Sequence, residues 1–318
     1  MAQPANTFST YDSVGIREDL SNIIYNIDPT ATPLYSKSAK TKARNTVFEW
    51  MTQALRNATV NANVEGDATT AQAVIPTVRL QGRTQIFKNA ITISGTDNAS
   101  AIDNAGRQRE MAYQSLLEAT AQKLDIELAL FANTPNAAGS NTVARTLGGI
   151  PSWLVTNVSF NAADGGANPV GDGTNARTDA SSTRAFTQAL FDTVMQDSWT
   201  SGAKLDTCYL SPTNMTSALA FEGNNNQRSN VQAGDEKVIK SLAVYVTPWG
   251  TIEFMPSRMV RASDVILVQS DMWCCPILRA TSNTELAKNG DNETRQIITE
   301  LGFESKNQAA NGAVYDVA

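Results

Sequence analysis

Two runs of bulky residues, Thr46–Leu55 and Thr77–Ser94, frame a stretch with almost no large apolar side chain. The first carries Val47-Phe48-Glu49-Trp50-Met51 and the second Val78, Leu80, Ile86, Ile91 and Ile93. Both are rich in the β-branched and aromatic types that suit a pleated surface, so the pair predicts a long two-stranded hairpin. Its tip, about Arg56 to Ala73, is rich in Ala, Asn and Thr, and Val60 and Val64 are its larger apolar residues. A ten-residue extended arm reaches roughly 33 Å. Isolated hairpins are marginal in water, so this one is expected to rest on another surface, a neighbouring copy of the chain being the obvious one.

The period then changes. From about Ser100 to Asn133, Tyr113, Leu117, Ala121, Leu124, Leu128 and Phe131 recur at spacings of three or four and predict an apolar stripe on a long helix. Asn98 or Ser100 is the expected cap, with Ser100 and Asp103 spaced as in a capping box. Thr134-Pro135 ends the run. About 32 helical residues make roughly 48 Å, close to the diameter of a globule of this length, so the helix is expected to be a spine. Glu118, Asp125 and Glu127 are assigned to its solvated side.

Before the hairpin, residues 1–44 read as an arm, with a short amphipathic patch at Leu20, Ile23, Ile24 and Ile27 and an extended segment at Thr32-Pro33-Leu34-Tyr35. After the helix, residues 136–180 read as linker-like and Gly-rich around Gly148-Gly149-Ile150-Pro151-Ser152-Trp153-Leu154. A mixed α/β segment follows. Helices are expected at Arg184–Trp199 and from Pro212, a polar loop at Glu222–Asp235, and strands at Leu205–Leu210, Val238–Val246, Thr251–Met255 and Val265–Gln269. Two last strands, Gln296–Leu301 and Val314–Val317, are joined through Asn307–Gly312.

Composition narrows the chemistry. The net charge is −6, with 25 Lys and Arg against 31 Asp and Glu, and no basic block provides the clustered cations that grip phosphates. Charged residues are 18% of the 318 and histidine is absent, which removes every Ser–His or Cys–His nucleophile and the commonest metal ligand. Cys208, Cys274 and Cys275 lack zinc spacing and read as small buried hydrophobes. Asp164 and the glycines after it do not reach a Glu at the twelfth position of a calcium loop. No phosphate-binding or nucleophile-elbow motif occurs. The sequence assigns no catalytic, cofactor or metal residue, and no enzyme activity is expected. No apolar run has the length of a membrane span, and the first residues lack the pattern of a secretory signal.

The order of these elements resembles the major capsid protein of tailed bacteriophages with the HK97-like fold, an α+β fold. The resemblance rests on Thr7-Phe8-Ser9-Thr10-Tyr11-Asp12, Ile27-Asp28-Pro29-Thr30-Ala31-Thr32-Pro33-Leu34, Phe48-Glu49-Trp50, the helix 100–133 and Gly148-Gly149-Ile150-Pro151. It implies an N-terminal arm (1–44), an extended loop (45–98), a peripheral domain with the spine helix (99–145), an axial domain (146–284) and C-terminal strands returning to the peripheral domain (285–318). It further implies self-assembly into pentamers and hexamers of an icosahedral shell around double-stranded DNA, within a virion assembled in the bacterial cytoplasm. No cofactor is implied. Expected partners are other copies, a separate scaffolding protein (the arm motif begins almost at once), a portal, a decoration protein, and DNA by weak non-specific contact. Some members of the family cross-link through a lysine in the extended loop. Here the nearest lysines are Lys42 and Lys88, so a non-covalent clamp is expected, with Arg56, Glu65, Asp67 and Arg83 as candidate subunit contacts. An encapsulin-like shell and a secreted adhesive or carbohydrate-binding protein are the alternatives.

Overall fold

The computed structural model describes residues 31–69, 71–100, 110–221 and 244–318. The elements begin with helix α1 (Pro33–Lys37), strands β1 (Ala39–Lys42), β2 (Val47–Thr52) and β3 (Val78–Ser94), and helices α2 (Gly95–Ser100) and α3 (Glu110–Phe131). Next come α4 (Ile150–Trp153), β4 (Val158–Ser159), α5 (Gln188–Thr200), β5 (Thr207–Leu210) and α6 (Pro212–Ala218). The chain closes with β6 (Val244–Thr247), β7 (Gly250–Pro256), β8 (Val265–Val268), β9 (Trp273–Glu285), β10 (Asn292–Gly302), β11 (Glu304–Ser305) and β12 (Gly312–Val314). The order mixes helices and sheets, as the α+β expectation requires.

One sheet runs β1-β9-β10-β3-β2, with β11 paired to β9. The predicted hairpin is present: β2 and β3 pair antiparallel from Val47 opposite Arg83 to Thr52 opposite Val78. Beyond that point β3 pairs with β10, from Thr84 opposite Gly302 to Ser94 opposite Asn292.

Helix α3 packs against β3 and β10. It is joined to them by the buried Gln122 side chain, which donates to the carbonyls of Phe87 and Ile297 at 3.2 Å and accepts from Thr299 Oγ1 at 2.8 Å. The buried face is Met111, Gln122, Ile126, Glu127, Leu130 and Phe131. It is rotated from the stripe expected through Leu117, Leu124 and Leu128, and Leu128 is exposed. A polar staple took positions that an apolar count passes over. Helical residues also occur earlier than expected, in α2. Ser94 Oγ accepts from the Asp97 amide at 3.2 Å, and Asn98 lies inside α2, where it bonds Glu293. The proposed partner Asp103 lies outside the described residues.

The second sheet runs β4-β12-β8-β5-β7-β6, and both its faces are covered. In β8, Ile266 and Val268 join the core beneath α3 and α4, while Val265 and Leu267 join an aromatic core under α5 and α6 built on Phe186, Phe191, Phe221 and Phe254. Strand residues alternate faces, so four consecutive apolar residues serve two cores. All three cysteines are buried and free, and burial pushes the Cys275 thiol up to about 12.

The C-terminal part is shared between the two sheets. Trp273–Glu285 belongs to the first sheet, and Gly312–Val314 crosses into the second, between β4 and β8. The supposed linker is pinned to that returning end. The buried Arg177 guanidinium pairs with Asp316 at 2.5 Å and Asp179 at 2.6 Å, and stacks on Tyr315 at 4.3 Å. Asp316 also accepts the amides of Asn161 and Ala180. Burial pushes Asp316 up, but Arg177 and the two amides outweigh it and hold the carboxyl below its ordinary value.

One carboxylate departs from what the sequence suggested. Thr32-Pro33-Leu34-Tyr35 is not extended throughout: Pro33 opens α1, because a missing N–H costs nothing in a first turn. That turn ends on Glu127, which is fully buried rather than solvated. Its oxygens accept the Leu34 amide at 2.9 Å and the Tyr35 amide at 2.7 Å, and burial pushes its carboxyl up against the pull of those amides. Replacing Glu127 with Gln leaves an NH2 facing one of the two amides. The variant is expected to lose about 1–3 kcal/mol in denaturant unfolding, with faster hydrogen exchange at Leu34 and Tyr35.

Asp264 behaves oppositely to Asp316. It is fully buried, its nearest cation is Arg261 at 3.5 Å, and burial raises its carboxyl to about 6. A raised folded value means the native state holds more protons than the unfolded chain, so this contribution to stability falls as pH rises from 3.8 through about 6. Asp264→Asn is therefore expected to gain stability relative to the natural chain between about pH 4 and about pH 7, measured as a difference in unfolding midpoints.

Candidate assembly surface

The base of the β2–β3 hairpin is wedged into the globule. The Phe48 ring lies over two glycines: a Cβ on Gly82 or on Gly302 would fall 2.3 Å from it. Trp50 sits 5.9 Å from Phe48 and 5.5 Å from the buried Trp153. Strand alternation explains the split, since Phe48 and Trp50 face inward while Glu49 and Met51 face out. Glu49 pairs with Arg79 across the strands at 2.8 Å. One residue past the hairpin, buried Thr84 donates to Glu300 at 2.8 Å, and Glu300 is held by Arg145 at 2.7 Å and Arg279 at 2.9 Å.

Past this base nothing in the described chain supports the loop. Residues 53–77 contain no helix or strand among those described. Their hydrogen bonds are local: the Asp67 amide to the Val64 carbonyl at 3.1 Å, Gln53 Nε2 to the Ile75 carbonyl at 2.8 Å, and Arg56 to the Asn57 carbonyl and Thr59 hydroxyl. Gly66 makes the turn at φ 84°. Leu55, Val60, Val64 and Val74 are 92%, 96%, 80% and 85% exposed, and Met51 and Val78 on the stems are exposed as well. Scattered exposed apolar residues are ordinary; a file of them along one unsupported projection marks an interaction surface.

Of the four residues proposed from sequence, Arg56, Glu65 and Asp67 are exposed on this loop. Arg83 is not with them: it sits half-buried in β3, opposite Val47 at the base. Among the described residues none of the four forms an ion pair. The sequence reading named Val60 and Val64 on the tip but assigned no contact to them, nor to Leu55 and Val74, although all four were legible as isolated hydrophobes in polar surroundings. A second exposed apolar strip lies on β6, an edge strand, at Val244 and Val246. Among the described residues no group of acidic and cysteine side chains is arranged to hold a metal ion, and no helix is long and apolar enough to cross a membrane.

The chain is 27% identical to the major capsid protein of Escherichia phage Phieco32, over the whole of this chain and 99% of that one. Its fold is similar to that of a chain in the cyanophage A-1(L) capsid asymmetric unit, with a TM-score of 0.70 at 10% identity, covering 97% of this chain and 98% of the other. It is also similar to the holo-SrpI encapsulin complex from Synechococcus elongatus, with a TM-score of 0.59 at 8% identity and 96% of both chains covered. The fold is thus the HK97-like one. The profile of the SU10 major capsid protein family matches residues 3–318, and the chain belongs to that family, as a structural subunit of a phage capsid shell.

Proposed function

We propose that copies of this chain form the pentamers and hexamers of an icosahedral shell around double-stranded DNA, and that residues 53–77 of each subunit lie over a neighbour and hold it without a covalent bond. The observation that carries the reading is the file of exposed apolar side chains on a loop whose base is fixed and whose tip has no partner among the described residues. Burying one Val or Leu contributes about 1.5–3 kcal/mol, whereas an exposed ion pair contributes about 1 kcal/mol or less. Apolar contact therefore dominates the clamp. Arg56, Glu65 and Asp67 act at its rim, and Arg83 supports the hairpin root. The first sheet with α3 forms the peripheral domain, and the second sheet with α5 and α6 the axial domain.

The proposal extends to a scaffolding protein, a portal and a decoration protein as partners, and to assembly in the bacterial cytoplasm. The net charge of −6 suits a wall that confines nucleic acid without gripping it, since each phosphate contact would add retention and salt dependence. The encapsulin-like alternative shares the fold and differs in enclosing a protein cargo, so the nucleic-acid content of purified shells separates the two.

The double variant Val60→Asp, Val64→Asp tests the clamp. Both side chains are solvated in the subunit, so its unfolding free energy is expected to stay within about 0.5 kcal/mol of the natural chain. Closed shells in negative-stain images are expected to be lost or to come apart at lower denaturant. Normal shells of unchanged resistance would rule out a clamp made by these side chains.

A further inference from the structure

The chain contains the dipeptide Asn-Gly twice outside the segments left undescribed, at 289–290 and 311–312, and the fold treats the two oppositely. Asn289 and Gly290 lie in the connection between β9 and β10, where residues 281–291 are all exposed. The turn is fastened on either side: the Leu286 amide donates to the Thr294 carbonyl at 2.9 Å, and the Asp291 carbonyl accepts the Gly95 amide at 3.1 Å. Between these points the Gly290 amide makes no hydrogen bond among the described residues. Gly290 has φ 121°, and the place of its missing Cβ meets only Asn292 Nδ2, at 3.8 Å.

Asn311 is fully buried. Its Oδ1 accepts from the Gln269 amide at 3.0 Å and from Trp273 Nε1 at 2.8 Å, and its Nδ2 donates to the Asn307 carbonyl at 3.1 Å. Gly312 is in β12 opposite Leu267, and a Cβ there would meet Val194 at 2.6 Å.

We infer that Asn289–Gly290 is a self-modification site, at which the exposed carboxamide is lost and a negative charge appears at the tip of the β9–β10 ribbon. The Gly290 backbone nitrogen attacks Cγ of Asn289. A new C–N bond closes a five-membered imide as the Cγ–Nδ2 bond breaks, the Gly290 amide proton is lost, and ammonia leaves. Water then adds to either imide carbonyl and reopens the ring as an aspartyl or isoaspartyl residue. Ammonia leaves and water enters, and nothing is oxidised or reduced. Glycine permits the step twice over: it has no side chain to obstruct the attack, and it can adopt backbone angles closed to other residues. At Asn311 the same rotation would break three hydrogen bonds inside a packed core. The product charge falls on a tip that carries Glu285, Asp291 and Glu293 against Lys288 and Arg295. The isoaspartyl form also adds a methylene to the turn that sets the register of the ribbon.

The test is peptide mapping of the intact folded chain held in mildly alkaline buffer. Trypsin cleavage after Lys288 and Arg295 isolates residues 289–295, and cleavage after Lys306 isolates residues 307–318. Fragment spectra assign the replacement of NH by O to an individual asparagine. The expected result is conversion at Asn289 at least about tenfold faster than at Asn311, with the difference collapsing when the chain is first unfolded in urea. Asn289→Gln is expected to abolish the mass gain in the first peptide. Equal rates in the folded chain, gain at Asn292 instead of Asn289, or an Asn311 that stays equally slow in urea would overturn the inference.

Discussion

The β2–β3 hairpin carries more apolar surface away from the globule than the described residues of its own chain cover. Phe48, in the notch made by Gly82 and Gly302, and Trp50 against Trp153 fix where the projection starts. Leu55, Val60, Val64 and Val74 then stand in solvent. Such a surface is stable to isolation only at the cost of ordered water around it, and contact with another copy removes that cost. A rigid root matters as much as the apolar tip. A tip that swung freely would lose orientational freedom on docking, and the fixed base reduces that loss.

The rest of the subunit keeps that root in place through buried polar joints. Gln122 ties the long helix to two strands, Glu300 gathers Thr84, Arg145 and Arg279, and Glu127 holds the turn through which the N-terminal segment enters. Asp316 plays the same part at the other end, drawing the Gly-rich 161–180 segment onto the returning C-terminal residues through Arg177. These joints link segments far apart in sequence. Each is costly to leave half-made, because a buried donor or acceptor without its partner costs more than a complete pair contributes. They therefore fix one arrangement of the two sheets where apolar packing alone would tolerate several.

The hairpin and the long helix were legible because each rests on a local period: alternation in Phe48-Glu49-Trp50 and recurrence along α3. The joints were not, because a buried carboxylate has the same letter as a solvated one. Glu127 was assigned to water, yet its spacing of three and four to Leu130 and Phe131 places it on their face of the helix. Of the four candidate contacts, the three on the loop followed from its length and polarity. Arg83 lies apart from them at the hairpin base, because strand register, which puts it opposite Val47, depends on pairing rather than on sequence distance. The C-terminal strands were read as two strands joined through a turn region, and the sequence did not show that Gly312–Val314 passes into the other sheet beside β8.

Hydrogen–deuterium exchange of the backbone amides in residues 53–77, compared between dissociated subunits and closed shells, tests most directly the claim that a neighbour supplies the missing cover. In the free subunit these amides have almost only local bonds and are expected to exchange at nearly unfolded rates. In the shell the stretch from Leu55 to Val74 is expected to become strongly protected, while the base at Phe48 and Thr84 is protected in both. Equally fast exchange of the loop in subunit and shell would contradict the account.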